Sequence, residues 1–291
     1  MILITGAAGH TGLLLLEELK NLNLNCRIRC LVRSNSPNIE KVKKYNVELV
    51  NGDIENCTAL KEAMKDVETV IHIAGILYSD KIMASAQKAG VRRIIFIHTT
   101  GIYSKYRECV KAYKSVEELI FRDCKVDYII LRPTMIYGST MDHNMHKLIQ
   151  YIKIHRFFPV FGSGKSLMQP VHALDLAKAI VSVLTNNKIS NKAYNISGKT
   201  VISYRDILNQ ISQRVNPRIK FIYIPYRISL LLGMAYGFLF KLLNKNPSIS
   251  VEQINRLSEN KSYSFKDAAE DFGYNPISFE EGINKEIDLM K

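Results

Sequence analysis

No repeat, low-complexity tract or block of like charge interrupts the sequence, so nothing in it argues for disorder. Its five cysteines, Cys26, Cys30, Cys57, Cys109 and Cys124, are odd in number and share no spacing, which excludes a disulfide framework. Reduced thiols in a cytoplasmic protein are the expectation. No HExxH motif or Cys/His cluster accompanies His143 and His146, so no metal site is expected. No signal peptide is expected either: a strand-like run at residues 1–5 leads straight into a glycine-rich loop, and the N-terminus is expected to be structural. The most apolar stretch, residues 228–243, is broken by Gly233, Gly237 and Lys241 and falls short of the ~20 residues a spanning helix needs. A buried or interface helix is expected there, with peripheral membrane contact left open. Lys and Arg outnumber Asp and Glu by 40 to 27, but they are scattered and form no stripe with aromatics. That speaks against a nucleic-acid partner and for anionic small molecules.

What is present is a regular alternation. Apolar, β-branched runs at residues 1–5, 27–32, 47–50, 69–74, 93–98 and 126–131 are separated by helical patterns at 12–22, 38–44, 58–65, 81–89 and 111–122. Such alternation implies βαβ units and a parallel sheet. The fold class expected is α/β, a doubly wound parallel Rossmann sheet with a small mixed C-terminal substrate annex. After residue 138 the rhythm breaks into helices at 143–155, 175–184, 204–215, 251–257 and 265–272, with short strands at 193–196 and 219–224. Residues 1–138 therefore read as the dinucleotide-binding domain. Residues 139–291 read mostly as the annex, with elements returning to the Rossmann core.

The segment Thr5-Gly6-Ala7-Ala8-Gly9-His10-Thr11-Gly12 spaces its glycines as GxxGxxG, after a strand and before an amphipathic helix. That context makes the loop a pyrophosphate cradle: glycines permit close backbone approach, and the helix N-terminus supplies N–H groups and the positive dipole end. An acidic residue at the end of the second strand would bind the ribose hydroxyls of NAD, whereas arginine accommodates the 2′-phosphate of NADP. Here Arg33 and Ser34 occupy that place. NADP is the first expectation and NAD the second.

The chain resembles the extended and atypical branches of the short-chain dehydrogenase/reductase superfamily, which are epimerase/dehydratase-like. The resemblance covers nearly the whole chain. It rests on the glycine loop, Asn51-Gly52-Asp53, His72-Ile73-Ala74-Gly75, the segments 98–103, 131–138 and 170–180, and the C-terminal Asp271-Phe272-Gly273-Tyr274-Asn275-Pro276. It implies that Asp53, with Ile54 beside it, contacts the adenine. It implies that Ile73, Ala74 and Gly75 run beside the cofactor, and that the strand end containing Pro133 lines its nicotinamide side. Thr99 or Thr100 matches the substrate-binding hydroxyl, and Lys114 the lysine that holds the nicotinamide ribose.

Two departures stand against these matches. The family's catalytic Tyr-x-x-x-Lys is absent, since Val110 stands four residues before Lys114. Valine cannot exchange a proton. Tyr103 is the replacement expected; Tyr113 would point about 100° away from Lys114 around a helix. His98, His172 and Asp175 read as structural. Met168 stands where sugar-nucleotide enzymes carry an arginine that clamps diphosphate. That brings the chain closer to atypical members such as the nicotinamide-binding accessory subunit of respiratory complex I. Two functions remain open: an NADP-dependent oxidoreductase or epimerase-like enzyme for a small or nucleotide-linked carbonyl or alcohol, and a silent NADP(H)-binding module or sensor of a larger or membrane assembly. Homodimer formation stays open as well.

Overall fold

The opening strand, β1 (Ile2–Thr5), is buried along its whole length and pairs in parallel with a strand on each side. Only a central strand covered on both faces reads as an uninterrupted apolar run. In this computed structural model, which describes residues 1–22, 26–142, 144–242 and 250–290, it lies inside a seven-stranded sheet. His143 and Leu243, which enter the helices expected from sequence, lie outside the described residues.

The first half follows the expected alternation: α1 (His10–Asn21), β2 (Ile28–Val32), α2 (Ile39–Val42), β3 (Glu48–Asn51), α3 (Cys57–Ala63), β4 (Thr69–His72), α4 (Ser79–Lys88), β5 (Arg93–Ile97), α5 (Val110–Asp123) and β6 (Asp127–Pro133). The second half adds β7 (Ile136–Tyr137), α6 (Met145–Ile154), β8 (Phe157–Phe161), β9 (Leu167–Met168), β10 (Val171–His172), α7 (Ala173–Thr185) and β11 (Lys192–Ile196). It ends with β12 (Ile202–Ser203), α8 (Tyr204–Val215), β13 (Lys220–Ile224), α9 (Tyr226–Leu242), α10 (Val251–Leu257), α11 (Lys266–Phe272) and α12 (Phe279–Asp288).

The sheet order is β11-β6-β5-β4-β1-β2-β3, and every pairing is parallel. The chain winds outward from β1 to β3 and then crosses back to β4 on the other side of β1. This reversal opens a crevice at the carboxyl ends of β1 and β4, the place where open α/β sheets bind ligands. Helices cover both faces. Leu15, Leu16 and Leu19 of α1 bury against the sheet together with Leu176, Ile180 and Val183 of α7. Leu60, Met64, Ile82, Met83 and Ile120 fill the opposite face. Each of these side chains contributes about 1.5–3 kcal/mol by leaving water.

The seventh strand, β11, comes from the second half and pairs with β6 from Lys192↔Ile129 to Ile196↔Pro133. Together with α7 it belongs to the sheet layer, so the annex proper is built from α6, α8, α9, α10 and α12 with the parallel pair β8–β13. Helix α12 is an addition to the elements expected from the sequence. Its signature is present: the Ser278 side chain accepts from the Glu281 N–H at 3.2 Å, and Phe279, Ile283 and Ile287 face the annex core.

Candidate functional site

The glycine loop is shaped by contacts that forbid side chains. Gly6 has φ +80, and a Cβ there would stand 2.9 Å from the Ala74 backbone nitrogen. A Cβ on Gly12 would collide with the Gly6 carbonyl oxygen and with Ala7, so Gly12 lets α1 seat on the loop. Gly9 caps α1, and among the described residues a Cβ there would approach only the Gly6 carbonyl oxygen. The first turn of α1 carries no acidic residue, which leaves its dipole end unopposed for an anion.

Beneath the loop, β1 and β4 are tied at their ends. Burial pushes the His72 pKa down to about 3, so its ring is neutral. Its Nε2–H donates to the Gly75 carbonyl at 3.0 Å, which leaves Nδ1 to accept from the Thr5 hydroxyl at 2.7 Å. Gly75 itself has φ +125. Thr5 and His72 thus hold the cofactor wall from behind; neither lines the cavity.

The cavity is one space of about 830 Å³ running along the carboxyl edge of the sheet. At one end stand Arg33, Ser36 and Asn38 after β2, with Asp53 and Ile54 after β3. Asn38 Nδ2 donates to the Ala8 carbonyl at 3.2 Å and so pins this loop to the glycine loop. The middle is formed by Gly6, Gly9, His10 and Thr11 facing Ile73, Ala74 and Gly75. Ser34 is exposed outside the lining, and Ser36 stands in its place.

At the far end the cavity meets His98, Thr99, Arg107 and Tyr113. The Thr99 hydroxyl accepts from the Gly101 N–H at 3.0 Å, which turns its own proton toward other acceptors. Thr100 is buried behind it and donates to the Pro133 carbonyl at 3.2 Å; neither Thr100 nor Pro133 lines the cavity. The annex closes this end with Met141, Asp142 and Asn144. The Asp142 carboxylate is spent on α6, accepting from the N–H groups of Asn144, Met145 and His146 at 2.8, 2.7 and 3.1 Å.

Helix α5 sets which side chain enters. Glu117, 1% exposed, is its inward anchor, while the adjacent Glu118 is exposed. Burial works to raise the Glu117 carboxyl, but hydrogen bonds from His98 and Arg132 overcome it and hold the group below the usual range. Burial also lowers the His98 pKa. The neutral ring donates from Nδ1 to Glu117 at 3.0 Å and accepts at Nε2 from the Ser79 hydroxyl at 3.0 Å. Arg132 grips the same carboxylate through Nε at 3.0 Å from both oxygens and reaches Tyr103 with Nη1 at 3.1 Å.

With Glu117 inward, the residue one turn earlier on that face is Tyr113. The inward series is therefore Cys109-x-x-x-Tyr113-x-x-x-Glu117, one residue out of step with the Lys114-x-x-x-Glu118 spacing. Lys114 is exposed and outside the lining. Tyr103 is outside it too: its hydroxyl donates to Asn195 Oδ1 at 3.1 Å, and its ring lies tilted against Tyr263 with centroids 5.1 Å apart. Arg107 Nη2 donates to the Tyr113 hydroxyl at 3.2 Å, with its guanidinium 5.0 Å from the ring centroid. Burial and the Cys109 thiol push the Tyr113 phenol up, against the opposing fields of Arg107 and of Arg256 from α10.

One more cation lies in the annex. Lys261 pairs in a bridge with Met168, and its N–H donates to the Leu167 carbonyl at 2.6 Å. Burial and the field of Arg256 lower its ammonium to about 8. Arg107 and Lys261 carry no signal in the sequence pattern, and Tyr113 is set aside there by its angle to Lys114; α10 acts on this end through the field of Arg256 at Tyr113.

A family model described as NAD(P)H-binding matches residues 6–187. Among curated proteins, the chain is 22% identical to N-acetyl-alpha-D-glucosaminyl-diphospho-ditrans,octacis-undecaprenol 4-epimerase of Escherichia coli O157:H7, covering 88% of this chain and 84% of that one. It is 21% identical to NADH dehydrogenase (ubiquinone) 1 alpha subcomplex subunit 9 of Arabidopsis thaliana, covering 88% and 69%. Among solved structures, UDP-glucuronic acid 4-epimerase from Bacillus cereus, in complex with UDP-glucuronic acid and NAD, superposes with a TM-score of 0.76 at 18% identity, covering 99% and 98%.

Proposed function

Because the chain belongs to the NAD(P)H-binding, epimerase/dehydratase-like family of Rossmann proteins, we propose that it is an NADP(H)-dependent oxidoreductase acting on an anionic carbonyl or alcohol. The observation that carries this reading is the continuous cavity with Arg33 at one end and Thr99, Arg107 and Tyr113 at the other. The cradle suits a dinucleotide: Gly6 and Gly9 leave no side chain between loop and ligand, and the α1 N-terminus faces the gap without an acidic neighbour. Arg33 would take the 2′-phosphate, and Asp53 and Ile54 the adenine side. When bound, the nicotinamide supplies or accepts a hydride.

The remaining work falls to the chain. Tyr113, its phenol held protonated at neutral pH, donates a hydrogen bond and then a proton to the substrate oxygen. Thr99 orients that oxygen. Arg107 binds the anionic part of the substrate, with the field of Arg256 behind it, in place of the arginine missing at Met168. The nucleotide-linked and diphosphate-linked sugars named for the related epimerases are substrates of this chemical kind.

The test is calorimetric titration with NADPH and NADH. NADPH is expected to bind more tightly, and Arg33→Ala to weaken NADPH by about 1.5–3 kcal/mol while leaving NADH nearly unchanged. Tighter NADH binding in the parent, or equal losses for both, would overturn the reading of Arg33. A second function, a cofactor-binding module in a larger or membrane-associated assembly, is favoured by one observation: Lys114 stands exposed and away from the cavity. It becomes the better reading if the protein binds NADPH yet never oxidises it across a panel of carbonyls and nucleotide sugars.

A further inference from the structure

Helix α9 is inside out. Its inward face carries small side chains: Ser229, wholly buried, and Gly233, where a Cβ would stand 2.6 Å from Ile254 Cδ1 of α10. Its outward face carries large apolar ones. Leu231 is 63% exposed, Phe238 66% and Leu239 54%, with Ile228, Leu232 and Met234 about half exposed beside them. A surface helix in water shows the opposite order, apolar toward the core and charged outward. The preceding strand β13 continues the apolar surface with Ile222 and Tyr223. Contiguous apolar surface of this kind marks an interaction site.

The charge around it indicates the occupant. From Asn216 to Ser250 the sequence contains no Asp or Glu, while it carries Arg218, Lys220, Arg227, Lys241 and Lys245. Arg218 and Lys220 are exposed at the start of β13, and Arg227 is exposed in the first turn of α9. An apolar helix face in a segment that carries cations and no acid complements an anionic bilayer. It suits a second copy poorly, since a two-fold contact would set the same cations against one another. Among the described residues no helix is long and apolar enough to cross a membrane.

We propose that α9 is an interfacial docking helix that seats this protein on an anionic lipid surface, with Leu231, Leu232, Phe238 and Leu239 entering the acyl boundary and Arg227 meeting the headgroups. The docking goes beyond the reading of the cavity and does not depend on it. It has a consequence for the cavity all the same. Helix α9 packs on α10, whose Arg256 acts on Tyr113, so docking brings the substrate end of the site close to the lipid surface.

Flotation of the full-length protein with vesicles tests this. Wild type is expected to float with vesicles of phosphatidylcholine and phosphatidylglycerol and to stay behind with phosphatidylcholine alone. Leu231→Ser with Phe238→Ser should weaken binding at least tenfold, because two large apolar side chains leave the boundary. Arg227→Glu should weaken it about tenfold through charge alone. All three positions are exposed, and an unchanged thermal melt confirms the fold of each variant. Three results would overturn the proposal: no flotation of wild type with either vesicle, equal flotation with both, or a wild-type dimer in sedimentation that the paired serine variant converts to monomer.

Discussion

Two glycines of one motif do different work at the scale of single residues. A side chain at Gly9 meets little of the protein beyond the Gly6 carbonyl and enters the cavity, whereas one at Gly12 enters the loop itself. Gly9→Val is therefore expected to abolish NADPH binding while the protein stays folded. Gly12→Ala is expected to cost about 1–3 kcal/mol of stability by overpacking. Titration of each variant alongside urea denaturation separates the two; unchanged NADPH affinity in Gly9→Val would remove the loop from the site. The two tyrosines part in the same way. Tyr113 faces the cavity and Tyr103 is engaged by Arg132 and Asn195. Tyr113→Phe is expected to lower turnover at least tenfold with little change in cofactor affinity, the pattern of a group that acts in the transition state. Tyr103→Phe should change turnover by less than about threefold. Reversed magnitudes would return the role of proton donor to Tyr103.

The contrast between legible and illegible features is sharpest at the scale of elements. The six strands of the first half were readable because each is a short β-branched run between helical patterns, and the glycine loop because its context fixes its meaning. Gly6, Gly9, His10 and Thr11 of that loop line the cavity, as do Ile73, Ala74 and Gly75 after β4, which the family resemblance sets beside the cofactor. Helix α5 was legible as a helix but not in its rotation. The Lys114-x-x-x-Glu spacing selects Glu118, whereas burial selects its neighbour Glu117. That single residue of register exchanges Lys114 for Tyr113 at the cavity. The annex residues Met141 and Asp142 were illegible for another reason: they reach the site through packing between segments far apart in sequence. Glutamine substitutions test the register directly. Glu117→Gln strips the partner from the nearly buried Arg132 and is expected to cost about 3–5 kcal/mol. Glu118→Gln, on the exposed face, should stay within about 0.5 kcal/mol. Urea denaturation of both variants measures the difference, and equal small effects would contradict the inward anchor.

Buried titratable groups couple the fold to pH at the scale of the whole molecule. Burial holds His72 down to about 3 and His172 down to about 4, against an ordinary value of 6.5. Below pH 6.5 the unfolded chain takes up protons at these rings and the folded chain does not, so stability falls as pH falls, by about 1.4 kcal/mol per unit for each histidine. Glu286 of α12 works in the opposite sense. It is wholly buried behind the annex wall, with Oε2 accepting from the Gly138 N–H at 3.0 Å and Oε1 without a partner. Burial and the neighbouring Asp142 raise it to about 8. Between its ordinary value of 4.5 and that value of about 8 the folded chain holds a proton that the unfolded chain has released. Its contribution is therefore complete below 4.5 and is lost as pH rises. From 4.5 to 6.5 the two histidines outweigh the one carboxyl and stability climbs; from 6.5 to 8 Glu286 prevails and stability declines at about 1.4 kcal/mol per unit. The expected profile peaks near pH 6.5, and Glu286→Gln should flatten its upper limb while leaving the acid limb in place. A series of urea midpoints across this range checks both limbs. A variant that declines above pH 6.5 as steeply as the parent would show that Glu286 is already ionised in the folded protein, and that another group unfastens the annex from the sheet.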